Sequence, residues 1–348
     1  VGTYSFDLTE TVKSDFSWGG QATGDEDRRL QGYGENFPGA AQPTVSSAAV
    51  RRAEESRQKV WNAGFFFQNV LGFSDKYFVT GGVRVDGNSA FGEGFGLQVY
   101  PKVSGVWVIS DESFWSEGLG TVKLRSAYGQ SGRAPGAFDA VRTWNAAGFA
   151  GAPAFTPSNL GNAELGPEVT AEIEFGFDAS WMDDRLTAAF TYYTQKTTDA
   201  LMSVASIPSQ GFTSSQLKNV GAISNKGIEL QLNASMYQSE KWDVDLGLGI
   251  STNKSKVLSL CRGYDIPTAE VLAIDPSAEC VPEFNGLSGR IIEGQTVPVE
   301  WDRRVANPNE IGPYQYKDNP LTTGAFNPSV GEDVIIGPQL PTHFINPS

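Results

Sequence analysis

The chain has 348 residues, with 26 basic and 40 acidic side chains and a formal charge of −14. Phosphate recognition needs a basic face, so this balance argues against nucleic acid as a partner. No run of about 18 apolar residues occurs, which excludes a membrane-crossing helix but not a barrel, whose strands are apolar only at alternate positions.

In chain order the signal is period two. The opening VGTYSFDLTE lacks an initiator Met and reads as the inside of a strand, with a fragment at 4–10. The far end, THFINPS, has no obvious finish, so the sequence reads as a piece cut at both ends, and a missing signal peptide places it in no compartment. A long connection over 11–56 precedes strands at 59–72 and 77–86, joined by a tight turn at Ser74–Lys76. Strands at 97–109 and in TVKLRSAYGQ follow, with Ser110–Gly120 between them and a long segment at 131–166 beyond.

The clearest alternation is VTAEIEFGFDASW over 169–181. Val169, Ala171, Ile173, Phe175, Phe177, Ala179 and Trp181 share one face, and Thr170, Glu172, Glu174, Gly176, Asp178 and Ser180 share the other. A turn at Met182–Arg185 leads to a strand at 186–200, then a long connection at 201–226. NVGAISNKGIELQLNASM then changes from turn chemistry to strand, with Ile228, Leu230 and Leu232 opposing Glu229, Gln231 and Asn233. After Ser239–Lys241, WDVDLGLGIS sets Trp242, Val244, Leu246, Leu248 and Ile250 against Asp243, Asp245 and glycines, and a last long connection starts near 261.

Short and long connections alternate, which in an up-and-down antiparallel sheet sends all tight turns to one end. Ten to thirteen residues at about 3.3 Å each, tilted by about 40°, span roughly 25–30 Å, the height of a barrel's apolar band. Trp61, Tyr77, Trp107, Trp115, Trp181 and Trp242 stand near strand ends, as an interfacial girdle requires. The expected fold is therefore all-β, an antiparallel up-and-down transmembrane β-barrel, present in part; a soluble sandwich would also make one face apolar.

These segments resemble TonB-dependent outer-membrane receptors of the SusC/RagA type. NVGAISNKGIELQLNAS is similar to a late-barrel signature of that family. GFFFQNVLGFSDKYFVTGGVRVDGNSAFG (64–92), YPKVSGVWVISDESFW, KLRSAYGQSG and NAELGPEVTAEIEFGFDASWMDDRLTAAFTYYTQKTTDAL resemble its hairpins in order, and EGQTVPVEW fits its last loop region. The likeness covers roughly residues 57–260 well. It implies a barrel of about 22 strands, of which about nine or ten are readable here, with no plug domain or TonB-binding segment in this stretch. The whole of 1–348 then reads as a partial barrel domain, with external loops at about 11–56, 131–166, 201–226 and 261–330.

The resemblance further implies an outer-membrane protein that imports a bulky nutrient with TonB-transduced energy. A glycan or oligosaccharide is the foremost cargo, with a peptide or metal chelate as alternatives. The implied partners are the TonB complex, a SusD-like surface lipoprotein and outer-membrane lipid, without a cofactor. A plug would rest on the lumen through Arg84, Lys123, Arg125, Glu172, Glu174, Asp178, Glu229, Asp243 and Asp245.

Covalent chemistry finds little support. The one histidine, His343, stands beside Pro in an expected turn, and a His-dependent triad or metal site would have to use it. Glu172 with Glu174, and Asp243 with Asp245, have the spacing of glycosidase carboxylates but share one environment, so nothing drives their pKa values apart. FGEGFG (91–96) lacks the helix and Lys–Ser/Thr of a phosphate loop. Cys261 and Cys280 flank a loop that a disulfide would close. Phe138, Trp144, Phe149 and Phe155, among small residues in a long loop, suit stacking on a ligand or packing loop on loop. A soluble or surface-attached β-rich adhesin is the alternative reading, and an outer-membrane enzyme a third.

Overall fold

The computed structural model describes residues 1–39, 44–206, 209, 211–212, 214–281, 284–285, 290–296, 299–303, 333–338 and 343–347. Its first six strands are β1 (Gly2–Thr9), β2 (Val12–Glu35), β3 (Val50–Phe73), β4 (Tyr77–Asn88), β5 (Gln98–Val108) and β6 (Thr121–Arg133). A hairpin of β7 (Thr143–Phe149) and β8 (Ala152–Asn159) stands apart. The wall resumes with β9 (Glu168–Trp181) and β10 (Leu186–Thr198), and β11 (Leu201–Ala205) and β12 (Ser215–Asn219) form a second small hairpin. β13 (Ala222–Gln238) and β14 (Asp243–Ser259) precede a short helix, α1 (Thr268–Ile274), and five short strands: β15 (Phe284–Asn285), β16 (Arg290–Ile291), β17 (Val299–Arg303), β18 (Asp333–Pro338) and β19 (His343–Pro347).

Eleven strands make one sheet in the order β1-β2-β3-β4-β5-β6-β9-β10-β13-β14-β19, and every pairing in it is antiparallel. Neighbours in sequence are neighbours in space; the small hairpins are interposed at one end, and the other end has tight turns except for residues 109–120, which hold two short 3-10 turns. The eleventh strand contains His343, which pairs with Thr252 through the backbone, so the expected turn there is replaced by sheet.

The expected loop at 11–56 is corrected most. Residues 12–35 and 50–56 are strand, and a tight turn at Glu10–Thr11 joins β1 to β2. Beyond the point where Asn62 meets Asn88, β2 and β3 pair alone for twelve residues each, Gly24–Glu35 against Val50–Trp61. At about 3.3 Å per residue this ribbon rises roughly 40 Å above the wall. Water on both its faces removes any need for apolar alternation, so GDEDRRLQ and RRAEESRQK carry no strand signature.

The other expected loops hold structure too. Segment 131–166 contains the β7–β8 hairpin, segment 201–226 contains β11–β12 and the start of β13, and segment 261–330 contains α1 and β15 to β17. Residues 304–332 of that last loop lie outside the described residues.

The described hydrophobic core sits among these loops. Ala200, Met202, Val220, Val257, Leu260 and Val281 bury one another, flanked by Val204, Ile223 and Ile291. Leu165, Val271 and Cys261 are wholly enclosed nearby. Each such aliphatic side chain contributes about 1.5–3 kcal/mol on burial. The wall is one sheet thick, so most of its apolar side chains have no second layer to pack on.

Candidate functional site

Alternation along the strands, combined with their register, sorts the wall into two faces. One carries Phe65, Phe67, Val79, Val103, Leu124, Ile173, Phe175, Phe177, Phe190, Leu230 and Leu248, brought side by side across seven strand pairs. Phe177 and Phe190 stack with ring centroids 5.6 Å apart. Polar groups on this face need internal partners, and Ser14, almost fully buried, donates to Asn69 Oδ1 at 2.9 Å.

At the tight-turn end this face finishes in aromatics. Tyr77 stacks on Trp107 at 6.0 Å, and Trp181 and Trp242 stand beside their turns. Glu112, in the connection after β5, accepts from Tyr77 Oη, from Trp107 Nε1 at 3.2 Å and from Lys76 Nζ at 3.3 Å. The Tyr77 hydroxyl first, then the Trp107 indole and Lys76, hold the Glu112 carboxyl below its ordinary range. Trp115 donates to the Gly120 carbonyl within the same connection. Trp61, expected near a strand end, instead lies midway along β3, where the wall gives way to the β2–β3 ribbon, with Lys59 Nζ 4.9 Å above its ring.

The opposite face is polar. Lys123 meets Asp178 at 3.1 Å, and Arg125 reaches Asp178 at 3.5 Å, Glu174 at 3.9 Å and the Thr191 hydroxyl. Gln195 donates to Glu172 at 2.7 Å, and Glu229 lies opposite Thr191 on the same side. Five of the sequence-selected residues thus converge: Lys123, Arg125, Glu172, Glu174 and Asp178. The convergence depends on Gly176, where a Cβ would overlap the Phe190 carbonyl and crowd the Arg125 guanidinium.

Arg84 lies apart on β4, its Nε donating to both oxygens of Asp86 at 2.8 and 2.7 Å. Asp243 and Asp245 lie at the tight-turn end, where Asp245 accepts from the Ser235 hydroxyl at 2.6 Å. Sequence reasoning missed Asp86, Tyr100 and Lys102 on this face. Their signal was parity: Tyr100 stands opposite Arg84, so even positions of β5 turn to the polar side.

On the loop side, a disulfide joins Cys261 to Cys280 with an S–S distance of 2.06 Å. Glu293 accepts from the Leu260 and Thr268 amides and the Thr268 hydroxyl, and Asn219 clamps Gly166 by two hydrogen bonds. Lys218 pairs with Glu279 at 2.7 Å and holds its carboxyl below the ordinary range, with Arg262 adding to the effect. Lys196 does the same for Asp265. On this platform stands the β7–β8 hairpin, where Ala150 and Gly151 both take positive φ at the two-residue turn. Trp144 packs on Phe212 at 5.8 Å, whereas Phe149 and Phe155 are 77% and 73% exposed and Phe138 is about half exposed.

A sheet with one continuous apolar face, one charged face, an aromatic border and loops sorted by length is a section of a transmembrane β-barrel, its polar face turned to the lumen. The family profile described as "TonB dependent receptor-like, beta-barrel" matches residues 2–274. TonB-dependent receptor P26 of Formosa agariphila is 31% identical over 80% of this chain and 29% of its own length. TonB-dependent receptor SusC of Bacteroides thetaiotaomicron is 25% identical over 55% of this chain and 20% of its own. In structure, the RagAB peptide importer in its open-open state superposes with a TM-score of 0.74 at 19% identity, covering 98% of this chain and 37% of that one. The chain belongs to the TonB-dependent receptor β-barrel family and is part of an outer-membrane barrel, spanning under a third of the length of the curated relatives it matches.

Proposed function

We propose that the protein containing this chain is an active importer. It captures a bulky nutrient at its external loops and passes it through the lumen with energy relayed by the TonB complex. The observation that carries this reading is the match of residues 2–274 to the TonB-dependent receptor barrel family; the charged inner wall agrees with passage through a polar interior.

A SusD-like surface lipoprotein fits as the outer partner, because the loop platform is fixed by its own core and presents Phe149 and Phe155 outward. Phe138, Trp144, Phe149 and Phe155 are read as contacts for cargo or for that lipoprotein. The nine lumen residues named from sequence are read as the bed of a plug. Cargo is a glycan, an oligosaccharide or a peptide, with a metal chelate as a further class. No covalent step is assigned, since Glu174 and Asp178 are occupied by Arg125 and Lys123 and Glu172 by Gln195. Deleting the gene should abolish growth on the nutrient it imports. Unchanged growth and uptake on every polymer, peptide and chelate supplied would refute the proposal.

A further inference from the structure

The lipid-facing side of the wall changes character where β13 and β14 approach the long loops. Above the register pair Ile228–Thr252, Lys226 stands opposite Lys254, and Lys256 follows opposite Ser224. Parity puts the three lysines on the face of Leu230, Leu248 and Ile250, away from the lumen. All three are exposed, and none forms an ion pair with another described residue. On β10, Lys196 faces the same way opposite Ser224, but Asp265 answers its charge.

Like charges directly opposite on neighbouring strands lie about 4.5–5.5 Å apart at Cβ and repel. The third lysine is two residues on, about 7 Å away. In a chain of formal charge −14 such a triad is no by-product of a basic composition. Its height shows which anion is near. Lys254 stands twelve residues beyond Trp242, the aromatic at the tight turn. At about 3.3 Å per residue and a tilt of about 40°, that is roughly 30 Å, the far edge of the apolar band. Trp61 lies at the same level on β3, twelve residues from Phe73, and Lys59 stands just above it.

We propose that Lys226, Lys254 and Lys256 bind the phosphates of a phosphorylated glycolipid in the outer leaflet, whose acyl chains lie on Ile228 and Ile250 below. Lysine suits this place, since its stem covers apolar surface while its ammonium reaches the headgroup. A zwitterionic phospholipid brings a cation with each phosphate and would leave the triad unanswered. A free phosphate ion would gain nothing from the apolar face beneath. The site needs only the outer-membrane barrel, whatever the lumen carries.

The test places the full-length receptor in nanodiscs of phosphatidylcholine containing diphosphoryl lipid A, dephosphorylated lipid A or neither. Native mass spectrometry should find the diphosphoryl form retained through detergent washing and the dephosphorylated form lost. Lys254→Gln should lower retention about fivefold, and joint Lys226→Gln, Lys254→Gln and Lys256→Gln about a hundredfold, as for cations near an anionic surface. Lys241→Gln, in the tight turn at the opposite end, should leave it unchanged, and excess inorganic phosphate should displace nothing.

Urea resistance separates a lipid contact from a structural one. Relief of the Lys226–Lys254 repulsion should leave the triple variant at least as resistant as the parent in phosphatidylcholine alone, and less resistant with diphosphoryl lipid A. Equal retention of the two lipid A forms, displacement by inorganic phosphate, or the same stability change in both lipids overturns the proposal. So does retention that the substitutions do not alter. Should the triple variant fail to insert, Lys254→Gln alone decides. None of these outcomes depends on cargo uptake, so the importer reading stands or falls separately.

Discussion

Leu230 and Gln231 are adjacent in β13 and test the two-faced wall most directly. Leu230 stands between Phe190 and Ile250 on the apolar face, half-buried by them, whereas Gln231 projects to the polar side between Ala189 and Gly249. Leu230→Arg would place a guanidinium among lipid chains near mid-strand, at about 2–4 kcal/mol. At 1.4 kcal/mol per tenfold, that lowers the folded-to-unfolded ratio roughly 30- to 700-fold. Gln231→Arg adds the same side chain, beside Glu229, in water, and should change stability by less than about 0.5 kcal/mol. The assay is urea unfolding of the full-length receptor in lipid vesicles, followed by heat-modifiable gel mobility. Equal costs at the two positions, or a greater cost at Gln231, would refute the assignment of faces.

Three further outcomes are expected. Replacing Cys261 and Cys280 together by serine should loosen the loop platform by about 3 kcal/mol through lost loop closure, read as faster protease cleavage between α1 and β16 with barrel mobility unchanged. Glu112→Ala frees the Tyr77 hydroxyl and the Trp107 indole, so tryptophan emission should shift while the strands stay folded; Glu112→Gln, which retains an acceptor, should shift it less. Acid should loosen the platform. The carboxyls of Asp265 and Glu279 are held below their unfolded values by Lys196 and Lys218, so their contribution is complete above about pH 4–4.5 and is lost as pH falls through the lower folded values. Protease resistance of residues 261–281 that rose on acidification would contradict the sign.

Legibility followed the solvent. Where lipid lies on one side and water on the other, each residue type is dictated, and β9, β13 and β14 could be read with their faces. VTAEIEFGFDASW is strand in the structure over the same residues, with Glu172, Glu174 and Asp178 on the side that alternation gave them. The β2–β3 ribbon and the β7–β8 hairpin have water on both sides, so no period appeared in RRAEESRQK or TWNAAGF. Lys102 was hidden differently. In YPKVSG a proline occupies the apolar parity, and only the pairing of Arg84 with Tyr100 shows which way the lysine turns. The clustering of Arg125 with Glu174 and Asp178 was likewise unreadable, because it joins strands some fifty residues apart.

The Cys261–Cys280 bond also constrains how the protein is made. Oxidation takes place in the periplasm, on the side of the short turns, whereas the bond ends on the side of the long ones. If the thiols join before insertion, α1 and its flanks cross the bilayer as a tied ring, wider than a single strand pair. If they join afterwards, the oxidant must act on the cell exterior. Barrel insertion and thiol chemistry are therefore ordered events for this chain, and a periplasmic oxidase mutant would separate the two routes by the redox state of the inserted protein.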